Sequence, residues 1–273
     1  MTNIKKSICV LLAALTLMTG ACALAEIKVN KKDMCINDAL DRSVNNILFL
    51  LQDGGATDTV MLASINSKNG RSVMTTLDAR LVLPVMDGGS YPLSDIYALG
   101  DAKSGGLLVA RTLNEAFALN ISSYIVLDMS RLPELVAAVG TLDIELSDSE
   151  AAALGLEPGE NSLDGEQALA YVRLKLDSDT ERNTRGYDAL MQLIRQGVNS
   201  GNLMGMVGMG TKLLSSVDTN LGALAAVTLA TSVQGGSERS ELVLPEEEQV
   251  LTGEPLTADL TAVGERLRGE IYP

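Results

Sequence analysis

Short apolar runs that alternate with segments of helical spacing are the feature that most restricts the fold of this chain. Runs of strand length occupy residues 47–51, 59–65, 72–77, 81–86, 124–127 and 141–146. Between the later runs, apolar residues recur at helical spacing over 107–119 and 130–139. Strands that alternate with helices predict a single α/β domain, in which a mixed central sheet carries helices on both faces.

The C-terminal part of the chain is predicted to be mostly helical. Asp164 and Gln167 have the spacing of a capping box, which predicts a helix that runs to about Lys175. Further helices are predicted over residues 181–198, 202–216, 219–232 and 257–269. No internal repeat is visible, so the predicted elements are assigned to one domain.

Missing residue types exclude several kinds of chemistry. The chain has no histidine, which excludes an imidazole general base, a Ser-His-Asp or Cys-His arrangement and a His-ligated metal site. Of its three cysteines, Cys9 and Cys22 lie in an apolar N-terminal segment. Cys35 would remain without a disulfide partner or an activating histidine. Stability must therefore come from a hydrophobic core, which a domain of about 250 residues can build.

The first 25 residues are interpreted as an export segment. Lys5 and Lys6 precede an apolar stretch over 8–18, and small residues over 20–25 offer a cleavage site. Two alternatives stay open, namely lipidation of Cys22 and an uncleaved segment that anchors the protein in the membrane. Each of the three outcomes places the domain outside the cytoplasm, secreted or attached to the outer face of the cytoplasmic membrane.

The acidic balance of the chain argues against a nucleic-acid partner and draws attention to one cationic cluster. The formal net charge is −14, whereas a nucleic-acid surface needs a basic one. Four cations nevertheless cluster where one predicted helix ends and the next begins: Arg173, Lys175, Arg182 and Arg185. Arginines at a helix N-terminus oppose the helix dipole unless an anion joins them. Because guanidinium groups bind phosphate well, the cluster predicts a site for a phosphorylated ligand.

The same segment resembles the signature of the LytR-CpsA-Psr family of cell-wall attachment proteins. Residues 163–173 read LDGEQALAYVR, and Asp179 with Arg182 and Arg185 resembles the S-D-x-x-R-x-x-R-Q pattern that follows in the family. Other family motifs have counterparts in the same order, at residues 46–53, 57–62, 93–100, 139–143 and 266–272. The resemblance predicts a LytR-CpsA-Psr-like domain over 44–272, preceded by a linker or helix over 26–43.

The resemblance implies a fold, an activity and a set of partners. Family members are extracytoplasmic phosphotransferases with an α/β/α sandwich fold. They move a glycopolymer, such as teichoic acid or capsular polysaccharide, from a polyprenyl-diphosphate carrier to peptidoglycan at the membrane surface. Mg²⁺ bridges the diphosphate, arginines hold it, and a hydrophobic groove takes the prenyl chain. Phosphoryl transfer depends on positioning and charge neutralisation, so it needs no histidine.

Individual site residues follow from the matching motif positions. The resemblance implies that Asp53 and Asp58 are the carboxylates associated with Mg²⁺. It implies catalytic roles for four residues: Arg173, Asp179, Arg182 and Arg185. Diphosphate binding is expected of the four cations at motif positions, namely Arg173, Lys175, Arg182 and Arg185, and of Arg80, which lies two positions beyond a lost motif arginine. Lys175 stands in for an arginine, which keeps the charge but loses the bidentate fork.

The chain departs from the family pattern at three places near this site. Gly54 and Gly55 stand where the family has an arginine, and Gly186 replaces a glutamine. Asp78 occupies an arginine position of the family's P-R-D-T motif. Arg80 lies two positions further on, so in an extended segment it would face the same side as Asp78 and compensate in part.

Three functions therefore remain open from the sequence. The first is a divergent transferase that uses the retained aspartates and arginines. The second is a non-catalytic envelope protein that binds polyprenyl phosphate or cell-wall polymer, which the altered Asp78 region suggests. The third is an interaction protein whose sheet scaffold matters and whose pocket is vestigial. Fold alone does not decide between them, because function depends on the site.

Overall fold

A six-stranded mixed sheet forms the centre of the computed structural model. The structure describes residues 31–100, 104–174, 176, 185–186, 188–189, 192–193, 196, 217–221 and 239–273. The strands of this sheet among these residues are β1 (Val44–Asp53), β2 (Ala56–Asn66), β3 (Ser72–Leu77), β6 (Ser123–Asp128), β9 (Val217–Thr219) and β10 (Arg239–Leu244). Their order across the sheet is β10-β3-β2-β1-β6-β9. The β1–β6 and β3–β10 pairs are parallel, and the other pairs are antiparallel.

Three short antiparallel hairpins and several helices complete the described structure. The hairpins pair β4 (Val82–Pro84) with β5 (Ser90–Pro92), β7 (Leu142–Leu146) with β8 (Gly159–Leu163), and β11 (Val250–Gly253) with β12 (Leu256–Ala258). The helices are α1 (Leu93–Leu99), α2 (Gly105–Phe117), α3 (Leu132–Val139), α4 (Asp148–Leu154), α5 (Gly165–Val172) and α6 (Leu260–Ile271). Short 3₁₀ turns lie at Lys31–Asp33, Met129–Arg131 and Glu247–Gln249. No helix among the described residues has the length and apolar character that a membrane span requires.

The central strands are buried on both faces, which explains their nearly continuous apolar sequence. Leu48 and Leu50 of β1 point into one core, which α1, α2 and α6 cover. Ile47 and Phe49 point to the opposite face, and Leu51 joins a second core that α3, α4 and α5 build with the β7–β8 hairpin. This alternation confirms the predicted mixed sheet with helices on both faces.

Several predicted elements keep their place but change their bounds. The strand predicted over 81–86 shortens to β4, because it forms a separate hairpin with β5 and does not join the central sheet. The helix predicted to reach about Lys175 ends at Val172, and Arg173 caps it. The helix predicted from residue 257 begins at Leu260, because Asp259 provides its N-cap.

Other predictions were wrong, incomplete or fall outside the described residues. Residues 217–219 form edge strand β9, so the start of the helix predicted over 219–232 is wrong. Edge strand β10 was not predicted at all. Several predictions fall outside the described residues and stay predictions. They concern the export segment, the helix over 202–216, and the site residues Lys175, Asp179 and Arg182.

An ion-pair network fixes α6 to the edge of the sheet. Arg71, in the turn between β2 and β3, donates to the Glu270 carboxylate at 2.8 Å and to the Glu270 carbonyl at 2.8 Å. Arg266 donates to Glu270 at 3.0 Å and to Glu246 at 3.1 Å. The hydrogen bond from Arg266, with the charge of Arg71, lowers the pKa of Glu270 below its ordinary value of 4.5.

We predict that Glu270→Gln lowers the free energy of unfolding by about 1–2 kcal/mol at pH 7, because hydrogen bonds to a charged group are lost. The folded-state pKa is lowered, so this stabilisation is present above pH 4.5 and is lost as the pH falls through the folded-state pKa. Urea unfolding at pH 7 and at acidic pH measures the difference. Glu265→Gln on the exposed side of α6 is the control; an equal loss in both variants would contradict the prediction.

Candidate functional site

Four aspartates lie along one edge of the central sheet. β1 and β6 run parallel, and both end at this edge, with Asp53 and Asp128 as their last residues. β2 is antiparallel to β1, so Asp58 lies near its start at the same edge. β3 ends there too, and Asp78 follows it. Since neighbouring strands are about 4.8 Å apart, this edge gathers several negative charges into a small area.

The β1–β2 turn explains one departure from the family pattern. Gly54 and Gly55 have φ values of +62° and +97°. A two-residue hairpin turn of this kind needs positive φ, which glycine adopts without strain. An arginine here would be strained, so the short turn and the loss of the arginine belong together. A β-bulge next to the turn places Thr57 opposite Gln52 and leaves Asp58 as the extra residue on β2.

Arg173 forms the central contact of the site. A capping box of Asp164 and Gln167 starts α5, and Arg173 follows at its C-terminus. Its Nε donates to Asp53 Oδ2 at 3.1 Å, and its Nη2 donates to Asp53 Oδ1 at 2.6 Å. These hydrogen bonds, with the charges of Asp128 and Asp58, raise the pKa of Arg173 above its ordinary value. The side chain stays 43% exposed, so an anion can approach it.

Arg80 makes the same kind of contact with Asp78. Its Nε donates to Asp78 Oδ1 at 3.1 Å and its Nη2 to Asp78 Oδ2 at 2.8 Å. The side chain of Arg80 therefore does turn to the same place as Asp78, as the sequence suggests, but its fork is used on that carboxylate. A diphosphate would have to compete with Asp78, and the diphosphate-binding role of Arg80 stays a prediction.

Arg185 occupies a different environment from the other two arginines. Its side chain is only 3% exposed. Nη1 lies 3.4 Å from Glu150 Oε1, and Nη2 donates to the carbonyl of Leu174 at 2.8 Å. The expected contact of Arg185 with a diphosphate stays a prediction as well. The sequence reasoning missed Glu150, although the Ser147-x-x-Glu150 spacing predicts the capping box that the structure shows.

An apolar cavity lies between the sheet and the helices of the second face. Its described lining is entirely apolar or glycine: Leu51, Leu127, Met129, Leu132, Val172, Gly186, Ala189 and Leu193. Val172 directly precedes Arg173, and Leu51 lies two residues before Asp53, so residues next to both members of the ion pair line the cavity. The cavity volume is about 10 Å³, close to what one water molecule needs.

Gly186 lets its segment approach the sheet closely, at the position where the family has a glutamine. A Cβ atom at this residue would lie 2.8 Å from Thr59 Oγ1 and 2.9 Å from Leu51 Cδ1. Both distances are shorter than ordinary contacts, so no larger side chain fits without movement. The glycine thus brings the apolar residues of both layers together and keeps the cavity small.

The carboxylates Asp53 and Asp58 fit the requirements of Mg²⁺. They lie on the two arms of one hairpin, both are partly buried, and both act on the charge of Arg173. Mg²⁺ takes one or two carboxylates, and substrate phosphates and waters complete its coordination. The described residues contain no group of three or more metal-ligating side chains. A metal held here would therefore depend on oxygens from the ligand.

Fold and site together define a class of protein. It is an α/β/α sandwich whose sheet edge presents an arginine–aspartate pair next to an apolar cavity, a combination suited to an anionic amphiphile. The sequence pattern of the LytR_cpsA_psr family matches residues 23–261, and the chain belongs to this family. The resemblance seen in the motifs is thereby confirmed.

Similar proteins occur in several bacteria. The chain is 26% identical to a polyisoprenyl-teichoic acid–peptidoglycan teichoic acid transferase, TagU, of Oceanobacillus iheyensis, over 71% of this chain and 64% of that protein. It is 26% identical to biofilm regulatory protein A of Streptococcus mutans, over 61% of this chain and 44% of that protein. The chain spans less than two thirds of the length of each.

Solved structures support the fold. The crystal structure of B. subtilis TagT superposes with a TM-score of 0.67 at 19% identity, covering 84% of this chain and 91% of TagT. A structure of TagT with bound octaprenyl pyrophosphate lipid has a TM-score of 0.65 at 17% identity, covering 91% and 95%. At these identities the likeness shows the α/β/α fold.

We predict that Gly186→Ala lowers the free energy of unfolding by about 1–3 kcal/mol, because the added methyl group overpacks the contact with Thr59 and Leu51. Denaturant unfolding measures the loss. Gly269→Ala in α6 is the matched control, since a Cβ there meets no atom within 4 Å and alanine favours a helix by up to about 1 kcal/mol. A Gly186→Ala protein as stable as the control would contradict the close approach.

Proposed function

We propose that this protein is an extracytoplasmic phosphotransferase that takes a glycopolymer from a polyprenyl-diphosphate carrier and attaches it to peptidoglycan. The observation that carries the proposal is the partly exposed Arg173–Asp53 pair, whose chain neighbours Val172 and Leu51 line an apolar cavity. The names of its relatives support it, since TagU is named as a teichoic acid transferase and TagT was solved with octaprenyl pyrophosphate. Export through residues 1–25, and action outside the cytoplasm at the outer face of the cytoplasmic membrane, form part of the proposal.

Arg173 is proposed to bind the diphosphate through the fork that now holds Asp53. A guanidinium group forms two parallel hydrogen bonds with a carboxylate or with a phosphate in the same geometry. The ligand and Asp53 therefore compete for the same two N–H groups. The diphosphate would then lie at this edge of the sheet, where a peptidoglycan hydroxyl attacks the phosphorus that carries the polymer, the P–O–P bond breaks, and polyprenyl phosphate leaves.

The negative charges around Arg173 support a requirement for further cations. Asp53, Asp58 and Asp128 all act on this guanidinium, so a diphosphate would meet three carboxylates. The negative charges of the carboxylates and of the diphosphate repel each other unless a cation intervenes. Mg²⁺ held by Asp53 and Asp58 would neutralise the diphosphate charge, and Lys175 and Arg182 are proposed to add to the field.

The apolar cavity is proposed to receive the start of the prenyl chain. Its present volume of about 10 Å³ is far too small for an isoprene unit. Entry of the lipid therefore requires that Gly186, Ala189 and Leu193 separate from the sheet residue Leu51. Lipid binding should consequently be coupled to movement of one layer against the other.

A second function is favoured by one observation. Asp78 places a carboxylate where the family has an arginine. The same carboxylate forms an ion pair with Arg80, the cation that could replace that arginine. A site weakened in this way can hold a lipid phosphate without transferring the polymer. Binding of polyprenyl phosphate in the absence of any transfer would establish this second function, and the absence of both would leave an interaction protein.

We predict that Arg173→Ala reduces transfer of polymer from a polyprenyl-diphosphate donor by roughly 30- to 150-fold, since a charged hydrogen bond contributes about 2–3 kcal/mol. The assay follows release of polyprenyl phosphate and labelling of peptidoglycan with Mg²⁺ present. Arg42→Ala is the control, because this exposed arginine pairs with Asp38 just before β1, at the opposite end of that strand. Equal activity of the two variants would refute the role of Arg173.

We predict that Asp78→Asn raises affinity for a polyprenyl diphosphate about fivefold, since it removes a repulsion of about 1 kcal/mol and weakens the hold of residue 78 on the fork of Arg80. The change is measured by titrating the donor into the protein and recording the melting temperature at each donor concentration. Glu166→Gln, an equal loss of charge at the start of α5, should leave the affinity unchanged. A decrease in affinity with Asp78→Asn would show that Asp78 supports the ligand.

A further inference from the structure

We propose that Arg185 and Glu150 form a positioning pair that fixes Arg173, and that Arg185 does not contact the diphosphate. This inference deepens the proposed function and rests on it where ligand binding is concerned. It reassigns one of the arginines that the family resemblance places on the ligand. The basis is the difference in exposure and in partners between the two guanidinium groups.

Burial separates the roles of the two arginines. Arg173 is 43% exposed, whereas Arg185 is 3% exposed. Both terminal nitrogens of Arg185 already have partners, and its Nε is buried without a hydrogen-bond partner. A ligand could reach Arg185 only after the surrounding helices had opened. A buried guanidinium group whose partners are all within the protein fixes the position of those partners.

Glu150 is a fixed counterion for Arg185. Its Oε2 accepts from the backbone N–H of Ser147 at 3.0 Å and from the Ser147 hydroxyl at 2.9 Å. These contacts form the capping box of α4 and leave Oε1 facing Arg185 at 3.4 Å. The charge of Arg185 is therefore neutralised by a carboxylate whose own position is set by the helix start. Removal of either partner would leave a buried charge unpaired.

The link to Arg173 runs through the backbone. The carbonyl of Leu174, which accepts from Arg185 Nη2 at 2.8 Å, belongs to the residue directly after Arg173. α5 ends at Val172, so this carbonyl lies just beyond the helix, where a cation commonly satisfies a free acceptor. Arg173 thus stands between two anchors: Asp53 of β1 holds its side chain, and the Arg185–Glu150 pair holds the chain that follows it.

A side-chain measurement on Arg173 tests this inference independently of activity. The Nε–H of Arg173 donates to Asp53, so its NMR signal should exchange slowly with water in the full ¹⁵N-arginine-labelled chain. Arg185→Lys keeps the charge but cannot span both partners, and Glu150→Ala removes the counterion. We expect both variants to speed this exchange. We also expect them to raise the Kd for a polyprenyl diphosphate by about 10- to 100-fold, because a small displacement of the Arg173 guanidinium group misaligns its fork with the phosphate.

Matched controls separate positioning from loss of stability. Arg42→Lys and Glu115→Ala alter exposed side chains that pair with Asp38 and Arg111, and they should change neither readout. If Arg185→Lys does not fold, Glu150→Ala carries the test.

Weaker binding with an unchanged Arg173 signal would overturn the inference, because Arg185 would then act on the ligand directly. A wild-type protein that binds no donor would instead refute the proposed function, while the exchange rates still decide the positioning.

Discussion

The bidentate ion pair between Arg173 and Asp53 is the contact on which the site depends. It joins the C-terminus of α5 to the end of β1, and therefore connects the helical layer to the central sheet. A partly exposed pair of this kind contributes little to stability, typically about 0–1 kcal/mol. Its importance lies in its geometry, because the carboxylate occupies the fork that a phosphate would use.

Charge and apolar surface meet at this pair. The carboxylates of Asp53, Asp58 and Asp128 make the sheet edge acidic, while Leu51 and Val172, two and one residues before the paired Asp53 and Arg173, line an apolar cavity. A ligand that satisfies both features carries phosphate at one end and hydrocarbon at the other. The absence of histidine is consistent with this chemistry, since metal and guanidinium groups can stabilise a phosphoryl transfer without a proton shuttle.

Sequence reasoning predicted the local features well and the long-range contacts poorly. Apolar runs identified β1 and β3, and the spacing of Asp164 and Gln167 predicted the start of α5, because these signals lie within a few residues of each other. Asp78 and Arg80 were also singled out, but their mutual ion pair was not. The contact of Arg185 with Glu150 joins residues 35 positions apart, and edge strand β10 pairs with a distant strand. Such partners depend on how the layers pack, which no local pattern encodes.

Above all, we propose that a diphosphate takes the place of Asp53 on Arg173. A crystal structure of the full chain with a polyprenyl diphosphate tests it most directly. The proposed function predicts a phosphate oxygen within hydrogen-bond distance of Arg173 Nη2, with the Asp53 carboxylate displaced from its present 2.6 Å and the prenyl chain between Leu51 and Leu193. A lipid bound elsewhere, with the Arg173–Asp53 pair intact, would contradict it.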